Sequence, residues 1–306
     1  MLLGIEIGGT KLQLVLGNQD GKIIRRERCS VDKARGGEGI REQIRNSIPK
    51  LVGGDKIEAV GVGFGGPVDW RKGRICCSHQ IEGWSDFELG AWFREIADVP
   101  VRIDNDANTA CLGEAFRGGG QGRNPVFYVT LGSGVGGGLV VDGRIYHGAI
   151  PGEAEIGHVR LDKAGTIVEQ RCSGWAVDRK IREEIKHSNG MLAELCRQTN
   201  GGEARHLLTA LNERDPLAQR VLTETAEDLA FALSHVVHLC HPEIIVIGGG
   251  LSLVGEPLRK AVAMALPRFV MHAFHPVPTI ALAGLGEDVV PTGALLLAKE
   301  AAASRQ

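Results

Sequence analysis

Four polar side chains crowd one short string of this chain, VRIDNDAN at residues 101–108. An apolar strand ends there and a helix begins, so two carboxylates and two amides gather at one strand-to-helix junction. The carboxyl ends of strands are where open α/β sheets place their ligands. Asp106 has the chemistry of a general base for an attacking hydroxyl, and Asn105 can hydrogen-bond the same substrate. Helix capping competes for these residues, since Asp and Asn are favoured N-caps, yet one cap accounts for only one of them. A second polar string, GEAEIGH at 152–158, sets Glu153, Glu155 and His158 in a stretch without helix or strand periodicity. Carboxylates beside an imidazole offer both acceptors and donors, which sugar hydroxyls require. The order His-Glu-x-x-His is absent, which argues against a hydrolytic metal centre.

Two glycine turns offer backbone chemistry. LLGIEIGGTKLQLVLGNQDGKII (2–24) and VFYVTLGSGVGGGLVVDGRIY (126–146) share one order: apolar strand, Gly-rich turn, apolar strand, Asp-Gly turn, short strand. Gly8-Gly9-Thr10 and Gly132-Ser133-Gly134 form the tips, where N–H groups without a neighbouring Cβ can bind phosphate oxygens. Thr10 and Ser133 add a hydroxyl to each. One such turn is explained as a tight hairpin. Two matched turns predict related halves gripping a phosphate chain across a cleft, and hence a nucleotide-dependent phosphotransferase. Glu6, beside the first turn, is a candidate to hold Mg²⁺ directly or through water. Gly248-Gly249-Gly250 follows an apolar run and could admit a flat base or ribose. GVGFGG (61–66) and GSGVGG (132–137) both fit G-x-G-x-x-G, but no helix follows either, so the dinucleotide reading fails on context. No P-loop string exists.

The elements that must position these groups alternate between strand and helix. Three strands are expected over 2–28, a helix over 38–52, a strand over 57–64 and a helix over 85–97 with a Ser85/Glu88 capping box. A strand at 99–103 leads into a helix at 105–117. After the second hairpin unit come a low-information helical region at 186–206 and a long helix over 215–240 capped by Asp215. A strand at 243–247, a helix at 255–266, a strand at 277–283 and a terminal helix over 291–304 complete the pattern. This alternation predicts α/β sheets. The Gly-rich run 118–122 is the candidate boundary.

With 306 residues, 43% apolar and 24% charged, the chain has the composition of a globular protein. A formal net charge of −2 gives no electrostatic case for nucleic acid or an anionic membrane. No apolar run reaches membrane-spanning length, and the N-terminus lacks the pattern of a secretory signal. Seven scattered cysteines without C-x-x-C fit reduced thiols and a cytoplasmic location.

Taken together, the strings resemble the ROK family of sugar kinases and regulators within the actin-like ATPase superfamily. EIGGTK (6–11) is similar to its first phosphate motif, which adds Lys11 to the nucleotide contacts, and LGSGVGGG (131–138) to its second. GFGGPVD (63–69) resembles the loop beside the sugar, with Gly66, and DNDAN (104–108) the catalytic motif, with the base at Asp106. GEAEIGH resembles the sugar-binding segment, with contacts at Glu155 and His158, and IGGG (247–250) the adenosine motif, with Gly249 and Gly250. The resemblance implies two ribonuclease-H-like (actin-like ATPase) α/β domains with a central cleft. A small N-terminal domain over 1–117 is joined by the C-terminal helix 291–306, and a large domain covers 118–290. It also implies ATP and Mg²⁺ as cofactors, a homodimer, and transfer of phosphate to a hexose, with glucose ahead of fructose or an N-acyl amino sugar. The alternative is a family member that senses sugar without turnover.

Three departures stand out. Glu6 replaces the usual aspartate. The cysteine-rich zinc motif expected after His158 is reduced to Cys172, which predicts no structural zinc. The glutamate expected just after that motif has no clear match among Ala176, Val177 and Asp178, so Asp178 is a candidate replacement. In addition to these three, Gln80 stands where the family often has Asn.

Overall fold

A computed structural model describes residues 1–78, 81–152, 154–199 and 201–304. Gln80 and Glu153 therefore lie outside the described residues. The strands are β1 (Leu2–Ile7), β2 (Lys11–Gly17), β3 (Ile23–Ser30), β4 (Ala59–Phe64), β5 (Val68–Asp69), β6 (Arg74–Ile75) and β7 (Val101–Asn105), followed by β8 (Val126–Leu131), β9 (Val135–Val141), β10 (Arg144–Ile145), β11 (Ile244–Gly248) and β12 (Thr279–Leu282). The helices are α1 (Gly36–Val52), α2 (Leu89–Ala97), α3 (Asp106–Arg117), α4 (Val168–Cys172) and α5 (Gly174–Glu184), then α6 (Met191–Arg197), α7 (Leu207–Asn212), α8 (Pro216–Cys240), α9 (Glu256–Ala265) and α10 (Val289–Ala303).

Two five-stranded sheets are built to one plan. Their orders are β3-β2-β1-β4-β7 and β10-β9-β8-β11-β12, so in each the third, second, first, fourth and fifth strands lie side by side. In the first sheet β1–β2 and β2–β3 are antiparallel hairpins, while β1–β4 and β4–β7 are parallel. In the second, β8–β11 and β11–β12 are parallel and β9–β10 antiparallel. The central strands AVGVGF and IIVIG are buried throughout. That explains why they read as unbroken apolar runs rather than as alternation.

The chain divides into two compact units: residues 1–122, 138–154 and 284–306 form the first, residues 123–137 and 155–283 the second. Strand β9 thus begins in the second unit and ends in the first. The first unit's core runs through Ile5, Leu14, Val62, Phe64, Trp84 and Phe93. A separate cluster joins Leu2, Val15 and Ala59 to Leu295 and Ala298 of α10. That helix lies unusually close to its sheet. A Cβ on Gly61 would stand 1.9 Å from the Ala294 carbonyl oxygen, and one on Gly293 would stand 1.8 Å from that of Thr109. Buried Glu114 of α3 fixes where the chain leaves and re-enters this unit. Its carboxylate accepts from the N–H groups of Gly119, Gly284 and Leu285 at 2.6, 2.9 and 3.0 Å.

Three local expectations change. The Ser85/Glu88 capping box does not form: α2 starts at Leu89, its N-cap Glu88 makes no side-chain cap bond, and Asp86 takes a positive φ of 57° in the preceding turn. The helix starts four residues after Ser85, so Ser85 cannot serve as its cap. The 186–206 region is not one helix: α6 occupies its middle, with short 3₁₀ turns at Ile185–His187 and Glu203–His206. Residues 168–184, unassigned in the sequence, carry α4 and α5.

Candidate active site

The β7–α3 junction of the first unit is held by its own polar residues. Asn105 is the N-cap: its Oδ1 accepts from the N–H groups of Ala107 (2.8 Å) and Asn108 (3.3 Å). Its Nδ2 donates to the Gly66 carbonyl at 3.2 Å, tying the GFGGPVD loop to the helix start. The second Nδ2 hydrogen remains for a ligand. Asp106 opens the first turn of α3, where the helix dipole favours a carboxylate. Its Oδ2 lies 3.4 Å from where a Cβ on Gly65 would stand, a point also 3.6 Å from the Gly8 Cα. The folding therefore brings Asp106 beside both Gly65-Gly66 and the first glycine turn.

That turn closes on itself: the Gly8 N–H donates to the Lys11 carbonyl at 2.9 Å. Gly8 and Gly9 are half-buried, and Thr10 is exposed. Glu6 sits opposite Gln13 in the β1–β2 register. Gln13 Nε2 donates to its Oε2 at 2.7 Å, and the Lys11 ammonium lies 3.4 Å from its Oε1. Burial raises the Glu6 pKa above the ordinary carboxylate value, opposed by Lys11 and Gln13.

In the second unit the first glycine of the turn again donates, one residue nearer along the chain. The Gly132 N–H donates to the Gly134 carbonyl at 2.9 Å, leaving Ser133 at the tip. The Gly174 N–H donates to the Gly132 carbonyl at 2.7 Å, seating α5 against the turn. Gly249, at φ 80°, passes so close to β8 that a Cβ would lie 2.5 Å from the Leu131 nitrogen; only glycine fits there. A cavity of about 390 Å³ opens beside these glycines, lined among others by Ser133, Trp175, Leu208, Gly250 and Leu253. Its size and apolar walls suit a nucleoside. Trp175, 67% exposed, lines this space.

His158 ends a short 3₁₀ turn, Ile156–His158, for which Glu155 is the N-cap. Helix α4 packs against that turn. Two carboxylates of this region were not separable by sequence. Asp178 lines the nucleoside-sized cavity, and its Oδ1 accepts from the Ala204 N–H at 2.7 Å. Glu169, in the first turn of α4, accepts from the Val135 N–H at 3.0 Å and so touches the second glycine turn. The missing signal was the α4 start itself, too short for periodicity to reveal. Asp104 is a further residue whose partners sequence could not supply: it pairs with His147, 43 positions and a whole hairpin away in sequence, at 2.6 Å. Among the described residues, no group of three or more His, Cys, Asp or Glu side chains could hold a metal ion. Among them, too, no helix is long and apolar enough to cross a membrane.

Known proteins share this architecture. The ROK family model matches residues 2–301. A glucokinase of Thermotoga maritima is 29% identical over 98% of this chain and 97% of its own length. A glucokinase of Halalkalibacterium halodurans is 31% identical over 97% of this chain and 94% of its own. A crystal structure of a ROK family glucokinase from Streptomyces griseus, in complex with glucose and AMPPNP, superposes with a TM-score of 0.84 at 28% identity, covering 98% of this chain and 99% of that one. Both five-stranded sheets are those of the actin-like ATPase fold. The chain belongs to the ROK family.

Proposed function

We propose that this chain is an ATP-dependent sugar kinase that transfers the γ-phosphate to a hexose hydroxyl, with glucose as the first substrate to try and fructose or an N-acyl amino sugar next. The observation that carries this reading is the placement of the Asp106 carboxylate at the α3 N-terminus, against Gly65 and the first glycine turn. The likeness to glucokinases over nearly the whole chain supports it.

Asp106 accepts the proton of the attacking hydroxyl as the new O–P bond forms and the bond to the β-phosphate oxygen breaks. Asn105 offers its remaining Nδ2–H to the same sugar, beside Gly66. Glu155 and His158 supply further acceptor and donor groups for sugar hydroxyls, and Glu169 is added as a carboxylate of that neighbourhood. The turns at Gly8-Gly9-Thr10-Lys11 and Gly132-Ser133-Gly134 hold phosphate oxygens, and Gly249-Gly250 borders the nucleoside cavity. Positioning and charge stabilisation supply most of the catalysis in phosphoryl transfer. Mg²⁺, when bound, neutralises phosphate charge; Glu6 has the charge and partial exposure to hold it, directly or through water. Asp178, spent on Ala204 and the cavity wall, is not assigned to the sugar. A homodimer in the cytoplasm completes the reading, checked by sedimentation.

The test is ADP release from Mg-ATP across a panel of hexoses and amino sugars, repeated with Asp106→Asn. Turnover with one sugar is expected, falling by about 10²–10⁴-fold in the variant with sugar binding kept. Silence across the panel with sugar binding intact sinks the kinase and favours the sensor; undiminished turnover in the variant removes Asp106 as base.

A further inference from the structure

Among the described residues, the segment between β10 and the GEAEIGH string has few anchors beyond the bond from the Tyr146 N–H to the Leu139 carbonyl. Residues 148–151 are exposed, and Gly148 and Gly152 adopt φ of 61° and 81°. Its two ends are held by one pair of residues. His147 Nε2 meets Asp104 Oδ2 at 2.6 Å, and the Asn108 amide, donating to Asp104 Oδ1 at 3.0 Å, also reaches the Gly152 carbonyl at 3.5 Å. Asp104 Oδ1 further accepts from the Asn105 N–H at 2.9 Å. The His147 ring stacks on Trp70, 4.1 Å between centroids and 16° from parallel. Trp70 directly follows the GFGGPVD loop.

Asp104 is therefore a buried hub for three segments of the first unit: the junction bearing Asn105 and Asp106, the loop after Gly66, and the segment leading into Glu155. Its side chain is 5% exposed, so its charge depends on these donors rather than on water. The imidazole side of the hub faces a cavity of about 1240 Å³ beside the outer edge of β7, where solvent can reach it. Loss of the His147 donor would leave a buried carboxylate short of a partner and untether the segment.

We propose that His147 is a positioning residue: through Asp104 it holds the 147–152 segment at the Asn105-Asp106 junction, where the Asn105 amide meets Gly66. This rests on the kinase reading for its kinetic consequence, but not for its structural one. Two substitutions separate hydrogen bonding from packing. His147→Gln keeps an N–H near the Nε2 position and gives up the stacked ring; His147→Phe keeps the ring on Trp70 and removes the donor.

Sugar KM is expected to rise about tenfold in the Phe variant and to stay within about threefold in the Gln variant, with ATP KM within about twofold in both. Amide hydrogen exchange over 146–152 should quicken in the Phe variant and remain near that of the parent in the Gln variant. A tolerated Phe with a damaged Gln assigns the position to ring packing and overturns the proposal, as does unchanged exchange in both. If the Phe variant does not fold, His147→Leu is judged by the same two readouts. If the parent turns over no sugar yet exchange separates Gln from Phe, the tether stands and the kinase reading falls.

Discussion

Glu6 shows how one methylene and its surroundings decide a residue's behaviour. Burial raises its pKa, so between the ordinary carboxylate value and that raised value the folded state holds more protons than the unfolded one. Stability from this group is complete below the ordinary value and is lost as pH rises through the raised one. Glu6→Gln removes that loss while keeping an acceptor for Gln13. Thermal melts should show the variant gaining on the parent between mildly acidic pH and pH 8, with no gain near pH 3. The same variant should need more Mg²⁺ for half-maximal ADP release if Glu6 serves the metal. An unchanged Mg²⁺ dependence would remove Glu6 from that role.

At the scale of elements, α3 is placed by its cap and α10 by the absence of side chains. Asn105 satisfies two N–H groups of the first turn and the Gly66 carbonyl at once. Asn105→Ala should cost about 1–2 kcal/mol in denaturant unfolding. It should also lower turnover, because Asp106 is the next residue of the same turn; Asn105→Asp should recover most of the stability but not the bond to Gly66. Against the sheet, Gly61→Ala pushes a methyl to 1.9 Å from the backbone of Ala294, which has no flexible end to give way. About 1–3 kcal/mol of destabilisation is expected, read as a lower denaturation midpoint at unchanged m-value. Activity per folded molecule should change little.

For the whole molecule, the repeated strand order means that each unit brings its own glycine turn, whose first glycine donates a backbone hydrogen bond across the turn. The units differ in what surrounds the turn. The first has the Asn105-Asp106 junction beside it; the second has the apolar cavity with Trp175. Ligand affinities should separate accordingly. Trp175→Ala should weaken ATP binding by about tenfold, the range that base stacking on an aromatic ring supports, with sugar binding unmoved. Calorimetry with each ligand alone decides it: equal losses for both would mean that Trp175 supports the fold rather than the nucleotide.

Much of this was legible in the residues themselves. Gly8-Gly9-Thr10 and Gly132-Ser133-Gly134 announce their turns because glycine at a strand tip has a backbone reason, and their shared flanks announce the duplication before any packing is known. Asp215 before Pro216 marks a helix start for the same local reason, and α8 begins there. The junction at Asn105-Asp106 was legible as a cluster, since capping alone cannot account for every polar residue in it. Other features depended on distance in space. Ser85 and Glu88 have the spacing of a capping box, but the chain turns at Asp86 and the helix starts only at Leu89. Glu169 and Asp178 are both acids near a short helix, and only the packing of α4 and α5 against Gly132-Ser133-Gly134 tells which meets the turn and which the cavity wall. Asp104 and His147 meet because a hairpin returns the chain to the end of β7. Local backbone preference and side-chain chemistry thus determined the turns, the duplication and the candidate base. Partners far apart in sequence were decided by the tertiary structure, because a buried carboxylate must find its donors wherever the fold brings them.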